Sequence, residues 1–156
     1  MAYNALAGGM LTGKYLDKPA ALDSTTEDAA EKLMKKPRGR MDTYGWGSTL
    51  YRYRSEAAVE AIAAYSALAK KAGISLTELS LRWCRSRRGC TTVLLGTSNM
   101  AQLEDDLRFF QKPEALPQDL LFEIDRVHMR NRLPIFSSRH VDAGWQGSGE
   151  IGEPIP

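Results

Sequence analysis

A tyrosine, three glycines and a lysine lie close together near the start of the chain, in the segment YNALAGGMLTGK at residues 3–14. Glycine has no Cβ, so glycines in a loop let backbone N–H groups approach a ligand closely. Tyr3, at the end of a short apolar run, can stack on a flat ring, and Lys14 can neutralise a phosphate. When composition alone is considered, an ordinary turn with a core tyrosine and a solvated lysine is the simpler interpretation.

A second segment with the residue types of a phosphate site is LGTSNMAQ, at residues 95–102. A short β-rich run leads into a Gly-Thr-Ser turn and then into Asn99, which is a favourable helix N-cap residue. Free N–H groups and hydroxyls at a helix N-terminus form a natural phosphate site. The spacing matches neither a Walker loop nor the GxGxxG motif. An ordinary capped helix therefore explains these residues equally well.

The basic run KKPRGR at residues 35–40 could hold a phosphate or a nucleic acid. It has no interleaved aromatic residues, and the 21 basic and 19 acidic side chains of the whole chain give a net charge of only +2. Both observations argue against nucleic-acid binding and favour a surface loop. Four further arginines, in and after the second helix, are predicted to lie on its solvent side: Arg82, Arg85, Arg87 and Arg88.

The cysteines and histidines offer no catalytic or metal site. Cys84 and Cys90 are six residues apart, which fits no CxxC spacing, and two cysteines make no disulfide framework. We predict reduced core thiols in a cytoplasmic protein. His128 and His140 have no nearby nucleophile or carboxylate that would make a triad or a metal ligand set, so both are predicted to be structural or exposed.

Hydrophobic periodicity and capping residues predict the elements that position these side chains. The predicted elements are a short helix over 27–36, a helix over 55–72, a second helix from Ser75 to Gly89, a strand over 91–95, a third helix after Asn99, a fourth helix with Pro117 at its first position, and an irregular tail. Ser55 is an N-cap, Ser75 and Glu78 form a capping box, and Gly73 fits the C′ position. The apolar positions predicted to face inward include Val59, Ile62, Met100, Leu103, Leu107, Phe110, Leu120 and Ile124.

A first short strand is predicted to end at Tyr3-Asn4. The order of the main elements is then strand, loop, helix, helix, strand, turn, helix, helix, which predicts an α/β fold with parallel strands. Parallel sheets need both faces covered, and two or three strands would leave an edge open. The pattern therefore predicts part of a larger sheet.

The composition excludes several protein classes. The 156 residues are 43% hydrophobic and 26% charged, as in an ordinary globular protein. No stretch approaches the roughly 20 apolar residues of a membrane span. The first ten residues, MAYNALAGGM, lack the basic start and apolar core of a signal peptide. We therefore expect neither a membrane nor a nucleic-acid partner.

Two motifs together resemble the aldo-keto reductase family. YNALAGGMLTGKY resembles the loop after the family's seventh strand, and LRWCRSRRGCTTVLLGTSNMAQLEDDL resembles its last barrel helix, eighth strand and cofactor loop. LPQDLLFEIDRV is similar to the helix that follows the barrel. The likeness is greatest to the branch of aflatoxin aldehyde reductases and potassium-channel β-subunits. The resemblance implies the C-terminal part of a (β/α)₈ barrel over residues 1–134, an incomplete barrel, with an irregular tail over 135–156.

The resemblance also implies a binding site for NADP(H). Tyr3 would stack on the nicotinamide, while Lys14 and the loop Asn4, Ala5, Leu6, Ala7 and Gly8 would line the pyrophosphate path. Arg38 and Arg40 would reach over the cofactor as a clasp. At the adenosine end, the implied residues are Gly96, Ser98, Gln102, Asp105 and Asp106.

Three departures from the family pattern matter. The usual proline is Ala5, and the usual Glu-Asn pair at the adenine is Asp105-Asp106. The family's catalytic tetrad of Asp, Tyr, Lys and His lies in the first half of the barrel and has no counterpart here, so no catalytic residue is predicted in this chain. A family barrel needs about 250 residues.

Two functional hypotheses follow. In the first, the complete protein reduces small aldehydes or ketones to alcohols with NADPH, and this chain carries the cofactor-binding half. In the alternative, the chain is a non-catalytic regulatory or binding subunit, or an inactive fragment. It would then pair with another chain, or with its own copy as a homo-oligomer, through exposed strand edges.

Overall fold

A computed structural model describes residues 1–17, 37–43, 50, 53 and 55–130 of the chain. Within these residues lie four α-helices and two 3₁₀ helices: Ala7–Thr12 and Arg40–Asp42 are 3₁₀ helices, and α1 is Glu56–Lys71, α2 is Leu76–Ser86, α3 is Met100–Gln111 and α4 is Gln118–Arg130. The predicted helix over 27–36, the predicted tail over 135–156 and His140 lie outside the described residues.

Helix α1 begins and ends as its sequence predicts. The hydroxyl oxygen of Ser55 accepts a hydrogen bond from the N–H of Ala58 at 3.2 Å. At the other end, the N–H of Gly73 donates to the carbonyl of Lys70, and the N–H of Ile74 donates to the carbonyl of Ala69, both at 3.1 Å. These two bonds form a Schellman motif, which requires the positive φ of 69° that Gly73 adopts.

We expect Gly73→Ala to lower the free energy of unfolding by about 1 kcal/mol, because a Cβ disfavours the left-handed conformation. A Cβ at Gly73 would meet no atom within 4 Å, so the cost comes from the backbone alone. Gly89→Ala is the matched control, since its Cβ also meets open space and its φ is not positive. Urea unfolding measures both, and equal effects at the two positions would contradict the assignment.

The face that α1 buries differs in part from the predicted stripe. Ala58, Ala61, Ile62 and Ala69 are buried, whereas Val59 is 42% exposed, so its predicted inward position is wrong. The buried face is mostly alanine, which lets α1 lie against α4 and α2. Small side chains on the buried face therefore decide which side of this helix faces inward.

Helix α2 forms half of the predicted capping box. The hydroxyl oxygen of Ser75 accepts a hydrogen bond from the N–H of Glu78 at 3.0 Å. The Glu78 carboxylate, however, accepts from Arg82 Nη1 and from Lys112 Nζ, each at 2.7 Å. The helix ends at Ser86, earlier than predicted, because Arg87 is already extended with φ −85° and ψ 120°.

The predicted exposure of the α2 arginines is wrong for Arg82, which is buried. Its Nη2 donates to the carbonyl of Glu114 at 3.0 Å. Arg85 donates to the carbonyls of Phe110 at 2.5 Å and Glu114 at 3.2 Å. The guanidinium groups of Arg82 and Arg85 thus donate hydrogen bonds to carbonyl groups at and beyond the C-terminal end of α3, and these bonds hold α3 against α2. Arg88 is exposed as predicted.

A single parallel bridge, between Ala2 and Val93, takes the place of the predicted strand over 91–95. The N–H of Ala2 donates to the carbonyl of Thr92 at 2.8 Å, and the N–H of Leu94 donates to the carbonyl of Ala2 at 2.9 Å. The parallel direction agrees with the prediction, and the length does not. Asn4 has a φ of 57°, which turns the chain two residues after the bridge and ends the pairing.

Helix α3 is rotated relative to the predicted apolar face. Met100 and Leu107 are 67% and 43% exposed, so their predicted inward positions are wrong. Leu103 and Phe110 are partly buried, and Asp106 lies buried on the same side of the helix. The face toward α2 therefore follows positions 103, 106 and 110.

Helix α4 begins at Gln118, one residue later than predicted. Pro117 is the residue before the helix, and its carbonyl accepts a hydrogen bond from the N–H of Leu121 at 3.0 Å. Leu120 and Ile124 face the core as predicted. Among the described helices, none combines the length and the hydrophobicity that a membrane span requires.

The hydrophobic core joins the helices to the N-terminal loops. Its buried members are Met10, Tyr15, Met41, Leu50, Ile62, Ala69, Leu76, Leu79, Leu116, Leu120 and Ile124. Burial of this apolar surface is the main favourable contribution to folding. Because Met10 and Met41 belong to the two 3₁₀ helices and Tyr15 follows the first of them, the core also fixes the segments 3–14 and 38–40, which carry predicted binding residues.

Candidate functional site

The glycine-rich segment 3–14 is a compact loop held by its own hydrogen bonds. The side-chain oxygen of Asn4 accepts from the N–H of Gly8 at 2.8 Å, and its amide nitrogen donates to the hydroxyl of Tyr53 at 2.8 Å. The N–H of Ala7 donates to the carbonyl of Asn4, and that of Gly9 to the carbonyl of Leu6, both at 2.8 Å. These N–H groups therefore stabilise the loop, and its outer surface is what a ligand would contact.

Tyr3 projects from this loop with 75% of its surface exposed. The interpretation of Tyr3 as a core residue is therefore wrong. An exposed aromatic side chain next to the single parallel bridge is available to stack on a flat ring. Ala5 and Leu6 are both partly buried in the same loop.

The ammonium of Lys14 lies in a niche between two glycines. A Cβ on Gly9 would be 3.1 Å from Nζ of Lys14, and a Cβ on Gly39 would collide with Nζ and lie 2.7 Å from the Tyr15 hydroxyl. Burial in this niche lowers the pKa of Lys14, and the neighbouring Arg38 cation lowers it further, while Asp42 acts in the opposite direction. The absence of side chains at positions 9 and 39 is thus what admits the Lys14 ammonium.

Arg38 is held by a two-point ion pair with a fully buried carboxylate. Its Nε donates to Oδ2 of Asp42 at 2.8 Å, and its Nη2 donates to Oδ1 at 3.0 Å. The remaining nitrogen, Nη1, donates to the carbonyl of Lys14 at 3.4 Å. The guanidinium also lies 5.0 Å from the centroid of the Tyr15 ring. The hydrogen bonds to Asp42 raise the pKa of Arg38, as expected of a well-paired guanidinium.

Arg40 begins the second 3₁₀ helix and lies beside the Gly96 loop. Its Nη2 is 3.8 Å from the position that a Cβ on Gly96 would occupy, which is ordinary contact. The structure therefore places Arg40 beside Gly96, and Arg38 beside Lys14, so that each predicted clasp arginine contacts another residue predicted for the cofactor. We call Lys14, Arg38 and Arg40 the cationic cluster.

Ser98 and Gln102 are paired with each other at the N-terminus of α3. The N–H of Ser98 donates to Oε1 of Gln102 at 2.9 Å, and its hydroxyl donates to the same oxygen at 3.0 Å. Asn99 caps the helix as predicted, accepting from the N–H of Gln102 at 2.9 Å. The Gln102 oxygen thus lies where an anionic oxygen would receive the two Ser98 donors.

The structure separates the two aspartates predicted at the adenine. Asp105 is exposed and accepts from Arg108 Nη2 at 2.6 Å. Asp106 is only 4% exposed. Burial raises the pKa of Asp106, and the nearby charge of Asp105 raises it further. Only Asp105 therefore presents its carboxylate to solvent.

The remaining predicted groups form no second site. Cys84 is buried, Cys90 is half-buried, and both thiols are free. His128 is exposed and lines an apolar cavity of about 180 Å³ that Cys84 also borders. Within the described ranges, no cluster of histidine, cysteine and acidic side chains could hold a metal ion.

Sequence reasoning missed the residues that support the site. Asp42 and Tyr15 hold the loop of the cationic cluster, and Tyr53 holds Asn4. The four-residue separation of Arg38 and Asp42 was the available signal for their pairing. No local pattern marks Tyr15 or Tyr53, because both contacts join residues far apart in the chain.

Comparison with known proteins gives a match over most of the chain. Residues 1–128 match the family model described as Aldo/keto reductase family. Protein tas of Escherichia coli is 30% identical over 128 residues, covering 82% of this chain and 31% of that protein. An aldo-keto reductase of Babesia bovis is 30% identical over 136 residues, covering 86% and 42% respectively.

A third relative is aflatoxin B1 aldehyde reductase member 2 of Rattus norvegicus. It is 36% identical over 118 residues, covering 68% of this chain and 28% of that protein. The chain thus spans less than half the length of each of these curated relatives.

Proposed function

Because the chain belongs to the aldo/keto reductase family, we propose that it supplies the NADP(H)-binding part of an oxidoreductase that reduces aldehydes or ketones to alcohols. Family membership implies the (β/α)₈ fold, and aldo-keto reductases generally use NADP(H). The observation that carries the proposal is that Arg40 Nη2 lies beside Gly96, in the segment before α3, while the Lys14 ammonium lies against Gly39, the residue that precedes Arg40. Cations beside a helix N-terminus suit the phosphates of a dinucleotide.

The chain's own residues would bind and orient the cofactor. Lys14 and Arg40 would neutralise its phosphates, and the exposed Tyr3 would stack on its nicotinamide. Ser98 would donate its N–H and hydroxyl to a phosphate oxygen once Gln102 turns away. When bound, NADPH supplies the hydride that reduces a carbonyl carbon. The proton donor would come from the family's catalytic tetrad, which we place outside this chain.

We also propose that the chain corresponds to the C-terminal half of the family barrel and to the branch of the aflatoxin aldehyde reductases. The order of the two quoted motifs supports the first point. The 36% identity to the rat aflatoxin B1 aldehyde reductase member 2 supports the second. We further propose a cytoplasmic location for this chain, with which the free thiols of Cys84 and Cys90 are consistent.

NADPH binding by the purified chain tests the proposal. Titration that follows nicotinamide fluorescence should give saturable binding in the micromolar range. Lys14→Met should weaken it by about tenfold, as loss of one charged hydrogen bond would. Lys71→Met, on an exposed residue in the last turn of α1, is the matched control and should bind as wild type. If the wild-type chain gives no saturable signal, the cofactor-binding role is wrong.

Carbonyl reduction tests the other half of the proposal. With NADPH and 4-nitrobenzaldehyde, the purified chain should show no oxidation of NADPH, because the proton donor is not among its residues. Measurable turnover would show that this chain holds a complete reductase site.

A pairing subunit is the second candidate function, and the parallel bridge favours it. Within the described residues, segment 92–94 has backbone pairing with Ala2 alone, and Leu94, its last residue, is 50% exposed. An exposed apolar edge of this kind favours association with another chain. Size-exclusion chromatography with light scattering would contradict this candidate by finding a stable monomer at every concentration.

A further inference from the structure

The loop that carries Arg38 and Arg40 rests on a carboxylate with no exposed surface. Asp42 is 0% exposed, and such a carboxylate is stable only when its oxygens are paired. Both oxygens receive the Arg38 guanidinium, and Oδ2 also accepts from the N–H of Arg38 at 3.1 Å. Asp42 therefore fixes both the side chain and the backbone of Arg38.

The same carboxylate fixes the position of Arg40. Arg40 and Asp42 belong to one 3₁₀ turn, closed by the N–H of Asp42 donating to the carbonyl of Gly39 at 3.0 Å. Between them, Met41 is fully buried, and its N–H donates to the Tyr15 hydroxyl at 3.3 Å. A turn held at Arg38, Met41 and Asp42 leaves the Arg40 backbone little freedom, and its side chain lies beside Gly96.

We propose that Asp42 is a positioning residue that acts through Arg38 to hold Arg40 beside Gly96, where Arg40 receives the 2′-phosphate on the adenosine ribose of NADP(H). This inference rests on the proposed function. Arg38 then stabilises the loop and is not a phosphate ligand, because its three guanidinium nitrogens already bond Asp42 and the Lys14 carbonyl. The preorganised turn spares the ordering cost of Arg40 on binding.

Simple electrostatics predicts the opposite effect of losing this carboxylate. Asp42 is the acidic partner of the cationic cluster, so removing its charge strengthens the attraction for phosphate if nothing moves. If Asp42 positions Arg40, however, replacing it with asparagine weakens binding, because the new side-chain amide places an NH₂ group against the Arg38 donors. The sign of the change therefore distinguishes the two roles.

The experiment titrates Asp42→Asn with NADPH and with NADH, under conditions in which circular dichroism shows that the chain is folded. We expect the Kd for NADPH to rise about tenfold and the Kd for NADH to change much less, since NADH lacks the phosphate on the 2′-oxygen of the adenosine ribose. Asp119→Asn, on an exposed residue of α4, makes the same charge change remotely and should leave both Kd values unchanged.

Tighter or unchanged NADPH binding in Asp42→Asn would overturn the inference, and so would equal weakening of NADPH and NADH, which indicates a general structural role. If Asp42→Asn does not fold, Arg38→Lys replaces it. Lysine keeps the charge but lacks the two-point fork, so the same selective loss is expected. Wild-type NADPH binding in Arg38→Lys would equally overturn the inference. If wild type itself fails to bind NADPH, it is the proposed function that fails.

Discussion

Glu78→Ala should lower the free energy of unfolding by about 3–5 kcal/mol, because it leaves the buried Arg82 without its carboxylate partner. Glu78 is 4% and Arg82 9% exposed, and their ion pair is 2.7 Å long. Nε of Arg82 already has no hydrogen-bond partner in the part of the chain that the structure describes. Urea unfolding followed by circular dichroism measures the change.

The controls separate a buried charge from a lost surface contact. Lys112→Met removes the second cation on Glu78, but the Lys112 side chain is 38% exposed, so we expect a loss of no more than about 1 kcal/mol. Replacing both partners, in Glu78→Leu with Arg82→Met, should cost less than Glu78→Ala alone. A double variant as unstable as the sum of its single variants would refute this account.

Acid should reveal the same ion pair in the wild-type chain. Burial raises the pKa of Glu78, but hydrogen bonds from Lys112 and Arg82 outweigh burial and hold the pKa below its ordinary value of 4.5. A carboxyl with a lowered folded-state pKa contributes stability above pH 4.5 and loses it as the pH falls through the folded-state value. Glu78→Gln removes this contribution, so the acid-dependent loss of stability should be smaller in that variant.

Gly39→Ala should weaken NADPH binding by about tenfold while the helices remain folded. The new methyl group would collide with Nζ of Lys14 and press on the Tyr15 hydroxyl, which accepts from the N–H of Met41. Gly39 has a φ of 168°, which alanine adopts without strain, so the effect comes from the collision alone. Because the Lys14 chain is flexible, its ammonium moves out of the niche and away from the phosphate position.

A second variant tests whether Lys14 is the route of this effect. In a Lys14→Met background, Gly39→Ala should add little, because the displaced ammonium is already gone. Gly89→Ala, whose Cβ meets open space, should leave the Kd for NADPH unchanged. If Gly39→Ala binds NADPH as wild type does, the niche does not position Lys14 for binding.

Local chemistry in the sequence was enough to predict the N-caps of α1, α2 and α3 and the C-terminal end of α1. Ser55, Ser75 and Asn99 accept the hydrogen bonds that their positions predict, and Gly73 adopts the left-handed C′ conformation. Each of these bonds joins residues within one turn of chain, so the information that specifies it is local.

The inward faces of the helices were predicted less well. Val59, Met100 and Leu107 fit an apolar period and are nevertheless exposed, while Arg82 and Asp106 are buried. An apolar period restricts a helix to a range of rotations, and the neighbouring helices select one of them. Arg82 is buried because Glu78 and the Glu114 carbonyl, 32 residues away, satisfy its guanidinium.

The amino-acid sequence alone was enough to predict the four described α-helices and three of their N-caps. It also predicted two segments with phosphate-binding chemistry and, through its motifs, the resemblance to the family that the chain belongs to. The niche of Lys14 between Gly9 and Gly39, and the position of Arg40 beside Gly96, arise only when the chain is packed into its three-dimensional fold. The physical reason is that these contacts depend on a buried carboxylate, Asp42, and on a core that joins loops far apart in the chain. Residue spacing carries no information about which distant groups will share that core.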